Sequence, residues 1–334
     1  MRITVLGSGS WGTALAISMA EVGQDVVMWT RSETAAEKLR QTRRNESYLP
    51  ESRIPTNVVI TASLAEALRD VEIIVVAVPS QVVRTLVTDI RPWVAPHHIV
   101  VSVAKGIEHG SLLTTTEVIR DALAEVTCAV GVLYGPSHAE EVAHHQPTTI
   151  VAAFEDEAVA ARVQAAFHAP WLRVYRQSDV KGVEIGGSVK NVMAIAAGVL
   201  DGMGYGDNAK AALITRGIAE ITRLGLALGA RPETFSGLSG LGDLVVTCMS
   251  QHSRNRYVGE AIGKGERLES IQGRMKMVAE GVETTRSVYQ LAHRCNVEMP
   301  ITASVYQVLF EGKSVADSMS ALMQRSLKDE TGPL

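Results

Sequence analysis

The chain has 334 residues, 46% of them hydrophobic and 4% aromatic, with a net charge of −4. That length favours two domains over one, and the acidic, aromatic-poor balance leaves no footprint for a nucleic-acid partner. Cys128, Cys248 and Cys295 lie far apart with no C-x-x-C pair, which reads as a reducing cytoplasm with the thiols as small core residues. No apolar run reaches the roughly 18 residues of a membrane helix, so no membrane insertion is expected. The chain opens Met-Arg-Ile-Thr-Val and enters a strand at once, so no signal peptide is expected.

In chain order, Ile3–Leu6, Val26–Trp29, Val58–Ile60, Ile73–Val78 and Ile99–Val103 read as strands, followed by Cys128–Leu133, Thr149–Ala153 and Trp171–Tyr175. Helical patterns fill most gaps, for instance Thr13–Glu21, Gln81–Arg91 and Leu112–Ala124. The alternation predicts a mostly parallel, doubly wound α/β sheet of Rossmann type; the direction of the strands after residue 128 stays open. After Ser178 the strand signal fades. Helical spacing runs from Val183 to Leu228, then over Gly240–Cys248, Arg254–Lys264, Ser270–Arg274, Thr284–Cys295 and Ile301–Phe310. The expected organisation is a dinucleotide-binding domain over 1–178 and an all-α substrate domain over 179–334, with a frayed polar tail from Lys328.

Gly7-Ser8-Gly9-Ser10-Trp11-Gly12 fits G-x-G-x-x-G between a strand and a helix, the context that makes the pattern informative. Gly7 permits the tight turn, Gly9 the approach of a pyrophosphate to the backbone, and Gly12 close helix–strand packing. The amides at the following helix N-terminus would face the phosphates. NAD-specific folds place a carboxylate at the tip of the second strand, but here the chain reads Trp29-Thr30-Arg31-Ser32. Arg31, aided by Arg43 or Arg44, would meet a 2′-phosphate, which predicts NADPH preference or dual use. The alternative is an ordinary surface arginine. Lys105 follows the fifth strand, and Gly135 and Ser137 follow the sixth, at the same ligand edge. His138, Glu141, His144 and His145 could suggest a metal cluster, with Glu141 and His145 four apart on one helix face. No third ligand stands at recognisable spacing, so no metal is expected.

Lys190 stands in Gly186-Gly187-Ser188-Val189-Lys190-Asn191-Val192-Met193, a small, apolar, helix-forming run. Lone buried lysines are rare, so this one is either not buried or has work to do. Arg254 lies in Ser253-Arg254-Asn255, which is expected to cap a helix starting near Arg256 and turn its first amides to an anion. Asp243 and Thr247 are four apart and share a helix face. A charge at a helix N-terminus is an adequate explanation of Asp243 on its own.

The Lys190 segment and Asp201-Gly-Met-Gly-Tyr-Gly-Asp-Asn-Ala-Lys together resemble the substrate domain of bacterial-type NAD(P)-dependent glycerol-3-phosphate dehydrogenases. The resemblance extends over nearly the whole chain, through residues 7–15, 103–108, 135–141, 240–244, 253–255 and Val278-Ala279-Glu280-Gly281. Serine at 188, where alanine is common, is a mild departure. The family likeness implies cofactor contacts from Ser10, Trp11, Arg31, Lys105, Ala139, Arg254, Val278 and Glu280. It implies substrate contacts from Lys105, Gly135, Ser137, Lys190, Asn191, Asp243, Thr247, Ser253, Arg254 and Asn255. Lys190 would be the proton acceptor, with Lys105 and Asp243 beside it in catalysis. The implied reaction interconverts dihydroxyacetone phosphate and sn-glycerol 3-phosphate with NADP(H), or NAD(H), for phospholipid synthesis. A small phosphorylated substrate and a homodimer are the expected partners.

A second cation, Lys105, and burial would each favour the neutral amine of Lys190, and a substrate phosphate its ammonium. Alanine at 190 is expected to fold normally, because a good helix former replaces a charge. Two other readings share parts of this pattern. A related β-hydroxyacid dehydrogenase or ketoacid reductase would lack the Ser-Arg-Asn phosphate site. A non-catalytic NAD(P) sensor would have no reason to keep Lys105, Lys190 and Asp243 together.

Overall fold

The computed structural model describes residues 1–275, 277–327 and 329. Apart from Asp329, the polar tail from Lys328 lies outside them. The chain forms two compact units, Met1–Lys105 with Thr115–Val180, and Gly106–Thr114 with Lys181–Leu334. The continuous span 1–178 expected from the sequence leaves Gly106–Thr114 in the first unit. That segment belongs to the second because Ile107 and Leu112 are buried in the second unit's core, and Thr114 donates to the buried Glu184 carboxylate at 2.9 Å.

In chain order the first unit runs β1 (Arg2–Leu6), α1 (Ser10–Glu21), β2 (Asp25–Trp29), α2 (Glu33–Thr42), β3 (Arg44–Asn45), β4 (Leu49–Arg53), β5 (Val59–Thr61), α3 (Leu64–Ala67), β6 (Ile73–Val76), α4 (Val83–Ile90), β7 (Ile99–Ser102), α5 (Thr115–Leu123), β8 (Ala129–Tyr134), α6 (Ala139–Ala143), β9 (Thr148–Ala153), α7 (Glu157–Phe167) and β10 (Leu172–Gln177). Eight strands form one sheet in the order β10-β9-β8-β7-β6-β1-β2-β5. Every pairing is parallel except β8 with β9, which fixes the directions the sequence left open. The Ile73-Ile74-Val75-Val76 strand is wholly buried, as a parallel strand covered on both faces must be.

Since β1, β2, β6, β7 and β8 are parallel, their carboxyl ends share one edge. The strand order reverses between β1 and β6, so a ligand crevice belongs at that edge. The β3–β4 hairpin falls in a stretch with no period-two pattern, and it was not expected.

The second unit comprises α8 (Val180–Gly202), α9 (Asp207–Ala227), α10 (Pro232–Phe235), α11 (Asp243–Met249), α12 (Arg254–Gly263), α13 (Leu268–Arg274), α14 (Glu280–Arg294), α15 (Pro300–Phe310) and α16 (Val315–Met323), with a π-helical turn over Leu238–Gly242 before α11. The single helical run expected from Val183 to Leu228 breaks into α8 and α9 at Gly204, which takes φ +74°. Helix α8 corrects the membrane argument. By length and composition it could cross a bilayer, but 89% of its apolar window is buried inside the protein, as in a core helix. The cysteines also divide: Cys248 is buried, with its thiol pushed up to about 12 by burial, while Cys128 and Cys295 are half-buried.

Helices α8 and α12 touch backbone to backbone. A Cβ added at Gly198 would come within 1.9 Å of the Arg256 carbonyl oxygen, and one at Gly202 within 2.2 Å of the Glu260 oxygen. From the other side, Gly259 would meet the Ile195 oxygen at 1.9 Å and Gly263 the Val199 oxygen at 2.5 Å. Glycines four apart on both helices put all four on the contact line. This contact fixes α12, and with it Ser253–Asn255, against the helix that carries Lys190.

Helix α15 is capped from a distance by Glu220 of α9. Its carboxylate accepts from the Ile301 amide at 2.6 Å and the Thr302 amide at 3.2 Å. Burial pushes the Glu220 carboxyl up to about 7, against the lowering effect of those amides. The folded state therefore holds a proton that the unfolded chain releases near pH 4.5. The stability this proton confers is full below pH 4.5 and is lost as pH rises to about 7. Relative to Glu220→Gln, the parent should lose on the order of 3 kcal/mol across that window. Denaturant unfolding at pH 5 and pH 8 tests this; equal pH dependence in both proteins would contradict it.

Candidate active site

In the first unit the glycine loop joins β1 to α1. Gly7 has φ +127°, and a Cβ there would sit 2.3 Å from the Ala77 carbonyl oxygen, beyond the end of β6. A Cβ at Gly12 would sit 2.2 Å from the Gly7 oxygen. Any side chain at either position would break the turn. Gly9 differs: nothing lies within 4 Å of where its Cβ would stand, and it caps α1 with no side-chain hydrogen bond. Open space over a helix N-terminus suits a pyrophosphate, so the loop fits a dinucleotide. Ser10, Trp11 and Gly12 form the first turn of α1.

The chain leaves β2 through buried Thr30 to exposed Arg31, with no carboxylate at the tip. Arg43, which the sequence offers as an aid to Arg31, is engaged through Nη1 with the backbone before β5. Its guanidinium donates to the Pro55 and Val58 carbonyls, at 3.2 and 2.7 Å, and holds the loop before β5. Arg44 donates to the Pro50 carbonyl at 3.4 Å.

Lys105, past the end of β7, donates to the Gly135 carbonyl at 2.9 Å and lies 5.6 Å from the centre of the Tyr134 ring. Ser137 donates to the same carbonyl at 3.0 Å. Tyr134 is itself fixed, wholly buried and hydrogen-bonded to the Ala104 carbonyl. Gly135 takes φ +144° with Ile150 close beneath it. Ala139 opens α6. The histidines do not form the face suggested by spacing: α6 ends at Ala143, and His145 lies beyond it at φ +57°. His145 pairs with Glu21 at 2.8 Å and stacks on Trp171.

In the second unit Lys190 is 6% exposed, so its burial is real. Its ammonium donates to Asp243 Oδ1 and to Thr247 Oγ1, each at 2.6 Å. Thr247 in turn donates to the Asp243 carbonyl at 2.6 Å, one helical turn back. Asp243 is 1% exposed, so the ion pair is desolvated on both sides. Gly186 lets α8 approach the π-helical turn: a Cβ there would lie 2.7 Å from the Ser239 oxygen. This close contact brings α11 and its Asp243 to Lys190.

Ser253 caps α12, accepting from the Arg256 amide at 3.2 Å, and the helix starts at Arg254, as the helical spacing predicts and two residues before the start near Arg256 that the capping argument gave. Arg254 is exposed and donates to the Val278 carbonyl at 2.9 Å. Buried Asn255 accepts from the Gly281 amide at 2.9 Å. A Cβ at Gly281 would crowd the Asn191 carbonyl at 2.7 Å. The structure thus gathers Asn191, Arg254, Asn255, Val278 and the start of α14 at Glu280 into one connected set. Among the described residues no group of three or more His, Cys, Asp or Glu side chains could hold a metal ion.

A Rossmann-type sheet with an open glycine loop, next in sequence to a helical unit carrying a buried lysine–aspartate pair, defines a nicotinamide-dinucleotide-dependent dehydrogenase. Residues 2–160 match the family model for the NAD-dependent glycerol-3-phosphate dehydrogenase N-terminus, and residues 179–320 that for its C-terminus. The chain belongs to that family. It is 56% identical to NAD(P)+ glycerol-3-phosphate dehydrogenase 2 of Salinibacter ruber, over 98% of this chain and 96% of that one. It is 52% identical to the Chlorobium phaeobacteroides enzyme of the same activity, over 99% and 100%. The crystal structure of glycerol-3-phosphate dehydrogenase from Coxiella burnetii is 36% identical, with a TM-score of 0.93 over 97% of this chain and 99% of that one.

Proposed function

We propose that this protein interconverts dihydroxyacetone phosphate and sn-glycerol 3-phosphate, with NADPH or NADH as the hydride carrier. It does so as a cytoplasmic homodimer and supplies glycerol 3-phosphate for phospholipid synthesis. The observation that carries this reading is the buried Lys190 ammonium held by Asp243 and Thr247.

When bound, the nicotinamide exchanges hydride with the substrate's central carbon. The protein must handle the proton and the phosphate. In the reductive direction the Lys190 ammonium donates its proton to the forming alkoxide and stabilises the charge developing there. In the oxidative direction the same nitrogen, as the amine, takes the proton of the secondary hydroxyl. Asp243 and Thr247 fix Nζ in one place, so no side-chain freedom is lost during reaction. Arg254, with the first amides of α12, holds the phosphate. Lys105, Gly135 and Ser137 bind the hydroxyl end, and Asn191 and Asn255 line the substrate. Gly7, Gly9, Ser10, Trp11 and Gly12 cradle the pyrophosphate, Arg31 takes the 2′-phosphate, and Ala139, Val278 and Glu280 complete the cofactor contacts.

Purified protein mixed with NADPH and dihydroxyacetone phosphate should consume the reduced nicotinamide absorbance. No consumption of NADPH or of NADH would end the proposal. Arg31→Glu should weaken NADPH far more than NADH, by about 1–3 kcal/mol for a lost charge-assisted bond. Equal losses for the two cofactors would show that Arg31 does not read the 2′-phosphate.

A further inference from the structure

We propose that Asn45 is a positioning residue for the dinucleotide, one that aims the glycine loop from behind. The proposal rests on the reading of that loop as the cofactor site. Asn45 stands on β3, the first strand of the hairpin, and is 5% exposed. Its Nδ2 donates to the Ser8 carbonyl and to Thr13 Oγ1, each at 2.8 Å. Both hydrogens of the amide nitrogen are thereby used. The two acceptors bracket the loop, Ser8 on its way in and Thr13 in the first turns of α1.

The loop needs an outside support. Open space at Gly9 admits a phosphate, but it also removes any side chain that could hold the backbone there. The peptide between Ser8 and Gly9 is planar and trans, so its carbonyl and its N–H point in opposite directions. Fixing the Ser8 carbonyl on Asn45 therefore points the Gly9 N–H away from Asn45. Two further bonds tie the same turn to β2: the Gly7 amide donates to the Trp29 carbonyl at 3.1 Å, and Ser8 Oγ to Thr30 Oγ1 at 3.0 Å. Those bonds anchor the turn, while the Asn45 bond sets the orientation of one peptide.

Asn45→Asp keeps the side chain's size but sets a carboxylate oxygen against the Ser8 carbonyl and adds negative charge behind a phosphate site. Asn45→Ala removes the donors alone. Calorimetric titration with NADPH should show Kd rising about tenfold for Asn45→Ala and more for Asn45→Asp. Turnover at saturating NADPH and KM for dihydroxyacetone phosphate should stay within about twofold to threefold of the parent, a split that general loosening of the fold does not produce. Variants that melt earlier yet bind NADPH like the parent would make Asn45 a purely structural residue and overturn the proposal. So would equal changes in every kinetic constant. If neither variant folds, Thr13→Val decides: it removes one of the two acceptors, and an unchanged NADPH affinity overturns the proposal. A parent that bound neither NADPH nor NADH would overturn the cofactor site and the Asn45 role together. A parent that binds either one beside unaffected variants overturns only the latter.

Discussion

Lys190→Ala is expected to lower turnover by roughly 10²–10⁴-fold, the range for removal of a general acid–base group. NADPH affinity should change little. The sequence alone suggested that this variant would fold normally; the structure argues otherwise. Asp243, 1% exposed, would lose the ammonium 2.6 Å from its Oδ1. Removing one partner of a buried pair costs about 3–5 kcal/mol, because the other charge stays desolvated. The variant should therefore be both slow and less stable. Adding Asp243→Asn should restore much of the stability and none of the turnover. A double variant that regained turnover would move proton transfer away from Lys190. Lys190→Arg should rescue poorly, because a guanidinium does not readily release its proton.

Arg254→Ala should raise KM for dihydroxyacetone phosphate about 10–100-fold, as expected for a lost charge-assisted clamp, with a smaller effect on kcat. Arg254→Lys should recover only part, since an ammonium cannot reproduce the fork. Because the guanidinium also holds the Val278 carbonyl, a modest rise in KM for NADPH should accompany the loss. Unphosphorylated dihydroxyacetone should be a poor substrate for the parent. Comparable reduction of the two ketones would remove the phosphate clamp from the mechanism.

Much of the sheet was legible because its strands are short β-branched runs buried on both faces, such as Ile73–Val76. The glycine loop was legible because steric need leaves no alternative at Gly7 and Gly12. Lys190 stood out because a charge in an apolar helix demands a reason. From the residues alone its partners did not: Asp243 had a sufficient local explanation as a first-turn carboxylate, so only the family resemblance set it beside Lys190, and folding places it against α8. Asn45 carried no signal at all. It sits in a polar stretch with no periodicity, and its importance comes from two backbone and side-chain acceptors more than thirty positions upstream. The tie of Gly106–Thr114 to the helical unit was illegible for a similar reason, since Ile107 read as an ordinary loop hydrophobic and Leu112 as the start of the helix over Leu112–Ala124, which begins only at Thr115.

That excursion governs how the chain can be assembled and divided. A single cut cannot release either unit whole, so a gene fragment beginning near residue 179 encodes a helical body lacking Ile107, Leu112 and the Thr114 hydroxyl that bonds Glu184. The two halves are therefore not interchangeable cassettes, and a crossover between homologous genes preserves both cores only if it carries the short segment along with the distant helices. During synthesis the ribosome delivers that segment well before α8 exists. The helical core must wait for the sheet's later strands to be made before it can close.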